Sequence, residues 1–275
     1  MKNGTNKSKS KKIKILALLI LILVTVLVIA FLAFRSDEES KEFKEYDDLA
    51  DSMNSASMEP QEAEKTERMI KLEELHNEYP DVVAWLEVPG TNMSYPIVQG
   101  KDNDYYLDHT YKKEYSARGS IFLDKDVNFD RPSDNFLIYG HRNQRGAMFE
   151  ELLKYEKEDF FKEHKTINFT TLKDDGEYEI IAAFRSRVYY KYEKNVFRYY
   201  YFVNAENEEA FNEYVRCAKR DSMYDTGVTA NYGDQLVTLS TCAYHTEDGR
   251  FAIVARKVRT NNNNNADNNN NNSNT

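Results

Sequence analysis

Gln235-Leu236-Val237-Thr238-Leu239-Ser240-Thr241-Cys242 is the stretch around which the rest of the chain reads. Apolar and β-branched residues run up to a thiol, and the polar segment Ala243 to Gly249 follows at once. A cysteine where a strand gives way to a loop is held by a sheet yet open to a substrate. An earlier run, Asn135-Phe136-Leu137-Ile138-Tyr139, ends in Gly140-His141, which puts an imidazole at a second strand end. Just past the Cys loop, Arg250 opens Phe251-Ala252-Ile253-Val254-Ala255. Thiol, imidazole and guanidinium are the parts of a cysteine acyl-transfer site.

Working outward, short apolar runs broken by turn residues recur at Val82–Val88, Tyr95–Val98, Ser120–Leu123, Asn135–Tyr139, Ile167–Thr171, Tyr178–Tyr190, Gln235–Thr241 and Phe251–Arg259. So many short strands with few helices predict a mostly β domain, either a closed barrel or a sandwich. Met69, Leu72, Leu75 and Tyr79 recur at helical spacing before Pro80 and predict a packing helix in front of the first strand. Met148, Phe149, Leu152, Leu153 and Tyr155 predict a short helical insertion. Phe211, Tyr214, Val215 and Ala218 predict a longer one between Asn204 and Arg220, expected to wall the site.

Thr238-Leu239-Ser240-Thr241-Cys242 with an Arg that opens the next strand, and Tyr139-Gly140-His141-Arg142-Asn143 upstream, resembles the sortases, most closely class B. The resemblance extends through Met148-Phe149 and Leu152 to Phe161, and covers about Met69 to Val258. It implies an eight-stranded β-barrel with an N-terminal helix and helical insertions. It also implies a transpeptidase in which Cys242 is the nucleophile, His141 the acid and base, and Arg250 the oxyanion partner, with Ser240 and Thr241 against the substrate. Sorting-signal peptides of secreted proteins and an amine of cell-wall precursor are the implied partners. This chemistry calls for no metal or organic cofactor, although some sortases use calcium.

Ile15 to Phe34 is apolar except for Thr25, and twenty helical residues span about the 30 Å hydrocarbon core of a bilayer. Six lysines precede this run, and Asp37-Glu38-Glu39 follow it. The positive-inside rule then predicts a single-pass anchor with a cytoplasmic N-terminus and the rest of the chain outside, and the resemblance implies that this outer part is a catalytic domain on a Gram-positive-type surface. A cleaved signal ending near Val28-Ile29-Ala30 is the alternative, although secretory apolar regions are shorter, about 7–15 residues. The predicted organisation is a basic end at 1–14, an anchor at 15–34, a polar and partly helical stalk at 35–60, a catalytic domain at 61–260 and a disordered Asn-rich tail at 261–275. The net charge is −9, and all 46 acidic residues lie beyond position 34. That balance argues against a nucleic-acid partner, which requires a basic face.

Other readings compete at each residue. Cys217 and Cys242 are the only cysteines, so no disulfide framework exists; one bridge between them is arithmetically open, but it would lock the nucleophile away. Cys217 reads instead as a small packed hydrophobe. Among the histidines, His76 falls in the packing helix, His109 in a polar loop and His164 in a Lys-rich, solvated stretch. His245 stands three residues after Cys242 and is the rival to His141. Cys242-x-x-His245 lacks a second ligand pair at zinc spacing. Arg256 and Arg259 stand near Arg250, and each reads alternatively as an exposed charge. A cysteine peptidase would use the same thiol and imidazole with water as acceptor, and a non-catalytic surface-binding barrel would need neither.

Overall fold

The structure, a computed structural model, describes residues 4–56, 60–61, 65–142, 148–243 and 246–258. The chain divides into two compact units, 1–49 and 50–275. Helix α1 (Gly4–Asn54) makes up most of the first and ends just inside the second; it carries the apolar segment, whose side chains from Leu18 to Phe34 are exposed along a helix long and apolar enough to cross a membrane. Thr25, the one polar side chain in that segment, donates its hydroxyl to the Ile22 carbonyl at 2.7 Å. The polar group is thereby satisfied within the helix, as an apolar surrounding requires.

The second unit starts inside the segment read as stalk. Met53 and Ala56 are buried, and Asn54 Oδ1 accepts from Ser94 Oγ at 2.7 Å. The same hydroxyl accepts from Nε1 of Trp85 at 3.0 Å. Helix α2 (Glu67–Glu78) follows, capped by Thr66, whose Oγ1 accepts from the Met69 N–H at 3.2 Å. That is the hydrogen bond an N-cap threonine makes, and it starts the helix where the apolar spacing begins.

Eight strands form a closed barrel: β1 (Val82–Glu87), β2 (Ser94–Gln99), β3 (Ile121–Leu123), β4 (Asn135–Gly140), β5 (Thr166–Thr171), β6 (Asp175–Arg187), β7 (Leu236–Cys242) and β8 (Gly249–Lys257). The order around the barrel is β8-β6-β5-β1-β2-β3-β4-β7, closing back on β8. Every pair is antiparallel except β2 with β3 and β4 with β7. The choice between barrel and sandwich is thus settled for the barrel. Alternate residues point in and out. Phe136 meets Phe169 at 5.4 Å on the inner face, with Ile138, Val237, Leu239 and Phe251 on the same side. The neighbouring positions 135, 137, 139 on β4 and 238, 240, 242 on β7 face outward.

Strand β6 stops at Arg187, three residues short of the predicted Tyr190, because its partner β8 begins at Gly249, the residue paired with Arg187. The predicted helix over Met148 to Tyr155 also begins later. Met148 adopts φ 55 and bridges to Arg142, a left-handed conformation that cannot start a helix. The 3-10 turn Glu151–Glu156 and helix α3 (Glu158–Glu163) take its place. Helix α4 (Glu208–Asp221) is capped by Asn207 and buries Phe211, Tyr214, Val215 and Ala218, the face read from the sequence. The Asn-rich tail at 261–275 lies outside the described residues.

Candidate active site

Three adjacent strands carry the candidate residues. Cys242 ends β7 and stands directly opposite Arg250, the second residue of β8. On the other side of β7, Gly140 of β4 pairs with Thr241, so His141 follows alongside Cys242. Gly140 allows this crowding, since a Cβ there would come within 2.4 Å of Ile121 and 2.7 Å of Phe149 side-chain atoms. Residues opposite each other share a face, which puts imidazole, thiol and guanidinium in a row on the outside of the barrel.

The row lies in a cleft of about 260 Å³. Asn103, Leu107, Phe122 and Tyr139 line one side of it, and Val188, Tyr199 and Tyr200 also line it. Nε2 of His141 is 2.8 Å from the Leu107 carbonyl. Because a carbonyl only accepts, Nε2 carries the proton in this contact and Nδ1 is left free to exchange one. The Arg250 guanidinium bonds the Gly249 carbonyl at 3.0 Å and the Asp248 carbonyl at 3.3 Å. Its own backbone neighbours therefore hold the guanidinium, and Arg250 lines the same cleft as Cys242.

Ser240 and Thr241 both line the cleft and both are buried. The Ser240 hydroxyl is shared with the phenol of Tyr199 at 2.7 Å. Burial pushes the Tyr199 phenol well above its ordinary range, with the Ser240 bond and the Arg250 charge acting in the opposite sense. The phenol is therefore a neutral hydrogen-bonding group. Thr241 sits on the opposite face of β7, and its hydroxyl has no hydrogen-bond partner among the described residues.

The rival residues fall elsewhere. His76 Nδ1 bonds the Val82 carbonyl at 2.7 Å, and His109 stacks on Tyr105 at 4.1 Å. His164, expected to be solvated, is half-buried against Phe160 and bonds the Pro89 carbonyl at 2.9 Å. Its helix places it under the first hairpin, which the run of lysines around it did not indicate. His245, Asn143 and Arg259 lie outside the described residues. Arg256 pairs with Glu179 at 2.8 Å, opposite Leu236 at the far end of β7. Cys217 is buried and unbridged, with its thiol donating to Glu213 at 3.1 Å. Among the described residues no three His, Cys, Asp or Glu side chains are grouped to hold a metal ion.

Helix α4 is not a wall of the cleft. It sits one layer back, where Tyr214 bonds the Thr238 hydroxyl at 2.9 Å, and the wall comes from Val188 and Tyr199-Tyr200 in the segment before it. Tyr139 was legible by period two from His141. Asn103, Leu107 and Val188 carry no local signal, because loops bring them in from distant positions.

Residues 86–258 match the Sortase domain family. Sortase B of Listeria monocytogenes is 34% identical over 192 residues, which are 68% of this chain and 74% of that protein. The solved Staphylococcus aureus sortase B–substrate complex superposes with a TM-score of 0.67 at 25% identity, covering 81% of this chain and 99% of that one. A sortase B structure complexed with triglycine gives 0.68 at 25% identity, over 81% and 99%.

Proposed function

The chain belongs to the sortase family, and we propose that it is a membrane-anchored, class B-like transpeptidase acting through Cys242, His141 and Arg250. The observation that carries the reading is the cross-strand row, in which the thiol stands between the imidazole of one neighbouring strand and the guanidinium of the other. No other described cysteine has such surroundings, since Cys217 is buried on α4 beside a carboxylate.

In this mechanism Cys242 attacks a peptide carbonyl lying along the end of β7, where Ser240 and Thr241 line the cleft. The carbonyl oxygen takes up negative charge, which Arg250 faces from the adjoining strand. His141 donates a proton to the departing amine, and the C–N bond breaks to leave a thioester. A second amine then attacks the thioester carbonyl while His141 takes its proton, releasing an amide and restoring the thiol. Relatives of the B type have been seen with a substrate and with triglycine. These support a sorting-signal peptide as donor and a cell-wall amine as acceptor for this chain.

The segment 15–34 is the proposed anchor, with 1–14 in the cytoplasm and the barrel outside, on the charge asymmetry across the apolar run. The polar stretch from 35 to the start of the second unit is the proposed stalk. Protease added to intact cells with a permeable wall should remove the barrel and leave the lysine-rich end protected.

The test is mass spectrometry of the full chain in detergent, incubated with a panel of sorting-signal peptides and an amine. A thioester-linked mass on Cys242 and an amide product are expected. Cleavage that yields only free acid with every amine would make the protein a peptidase, and no adduct with any peptide would leave a binding barrel.

A further inference from the structure

The parallel pairing of β2 with β3 forces a crossover, and its returning end, Tyr105 to Ser120, arrives beside the end of β4 where His141 stands. That loop presents the Leu107 carbonyl to His141 Nε2 at 2.8 Å. Around it, three hydrogen bonds lace the loop's two limbs together: the Ser120 N–H to the Tyr106 carbonyl, the Ser116 N–H to the Asp108 carbonyl and the Ser120 hydroxyl to the His109 carbonyl, each at 2.9 Å.

Gly119 sits in the middle of this lacing. Its backbone adopts φ +60, and a Cβ there would lie 2.4 Å from the Tyr106 oxygen and 2.5 Å from the Leu107 oxygen. Both obstacles are backbone atoms, which cannot swing aside as a flexible side chain would. Two independent reasons therefore admit only glycine at this position, and one of them is the very carbonyl that holds the imidazole.

We propose that Gly119 is a positioning residue for the transfer reaction, acting through the Leu107 carbonyl to fix the Nε2–H tautomer and the orientation of His141. The inference rests on the reading of His141 as acid and base. With Nε2 held as a donor, Nδ1 is the single ring nitrogen that exchanges a proton with thiol or amine. Displacing the carbonyl removes that constraint and lets the ring turn or change tautomer.

The experiment uses the full chain in nanodiscs, 15N-labelled at histidine, with the His141 ring signals assigned by their loss in His141→Ala. Wild type should show Nε2–H at His141. Gly119→Ala should keep the overall fold by circular dichroism, lose Nε2–H in favour of a tautomer mixture, and lower kcat with little change in KM. The loss should be on the order of 10²-fold, the penalty of a misplacement near 1 Å. Ser120→Ala removes one lacing bond without a clash, and should move tautomer and kcat in the same direction by about 5-fold, the factor equivalent to one ordinary hydrogen bond. It decides the matter if Gly119→Ala fails to fold. A native tautomer in the folded variants, whatever their rates, overturns the proposal. Turnover retained by His141→Ala would instead overturn the acid and base reading beneath it.

Discussion

Arg250 stands directly opposite Cys242 across the antiparallel β7–β8 pair, and the Gly140–Thr241 pairing brings His141 alongside from the other flank. Adjacent strands lie about 4.8 Å apart, so the three backbones fall within about 10 Å of one another. The barrel thus sets the order imidazole, thiol, guanidinium without help from any flexible segment. Eight residues separate Cys242 from Arg250 in sequence, and the strand register alone makes them neighbours.

Arg250→Ala should therefore lower kcat on the order of 10²- to 10³-fold, the range for loss of one oxyanion donor. Arg250→Lys keeps the charge but loses the planar guanidinium, one nitrogen of which is held by the Asp248 and Gly249 carbonyls, so most of the loss should persist. Peptide turnover under saturating substrate is the measurement. A fully active Arg250→Ala would hand the role to another cation, though Arg256 is already paired with Glu179 at the distant end of the strand.

The two thiols should separate cleanly. Cys242→Ala should abolish turnover and adduct formation with the fold intact, because its side chain faces the cleft and is replaced by a smaller one. Cys217→Ala should keep activity and cost about 1 kcal/mol in stability, an ordinary value for a buried substitution. Equal inactivation by both would require a function for the α4 thiol that its place beside Glu213 does not indicate.

His141→Ala should lose on the order of 10²- to 10⁴-fold, the span attributed to a positioned acid–base group, with both cleavage and transfer affected. His245→Ala should retain most activity. The reverse ranking, read from single-turnover and steady-state rates, would move the acid–base role to the Cys loop.

All eight strands were legible because each is a short apolar or alternating run with turn residues at its ends, and Gly140-His141 marked a strand end in the same way. The closure into a barrel rests on pairing, which a single sequence does not display. Met53 and Ala56, read within the stalk, are buried in the second unit, and two buried residues in a polar stretch are too few to show a period. The cleft wall was misassigned to α4 since its apolar face is conspicuous, whereas Tyr199 and Tyr200 reach the site from a 3-10 turn with no periodic signature. The Leu107 contact is made by a backbone carbonyl, which any residue could supply, so no side chain announces it.

Asp81 ties the loop that carries Leu107 to the start of the first strand, accepting from the Tyr106 hydroxyl at 2.6 Å and from Lys113 at 3.0 Å. Burial alone would raise this carboxyl, but the Tyr106 and Lys113 hydrogen bonds reverse the effect and hold it below the usual range. A depressed folded value means stability that is fully present above the unfolded value near 4 and lost as pH falls through the lower folded one. Asp81→Asn should accordingly be less stable than wild type at pH 7, with the gap closing on acidification below about pH 4. Denaturant unfolding of both proteins across that range tests this, and a gap that stays constant down to about pH 2 would refute the linkage.

The choice of acceptor depends on the wall of the cleft rather than on the reacting groups, which a peptidase and a transpeptidase share. Water attacks a thioester at a concentration no amine approaches, so transfer requires a site that positions the amine and sheds water. Tyr199 is fixed by its bond to Ser240, and Tyr200 holds the Tyr189 N–H on its hydroxyl at 2.8 Å, which makes the aromatic wall a rigid one. Added amine should therefore raise turnover and divert product from acid to amide. Tyr200→Ala opens that wall without touching Cys242, His141 or Arg250, and should lower the ratio of amide to acid more than it lowers total cleavage. Chromatography of products at fixed peptide and varied amine reports both quantities. A ratio unchanged in Tyr200→Ala would mean that the amine is held elsewhere, beyond the aromatic side of the cleft.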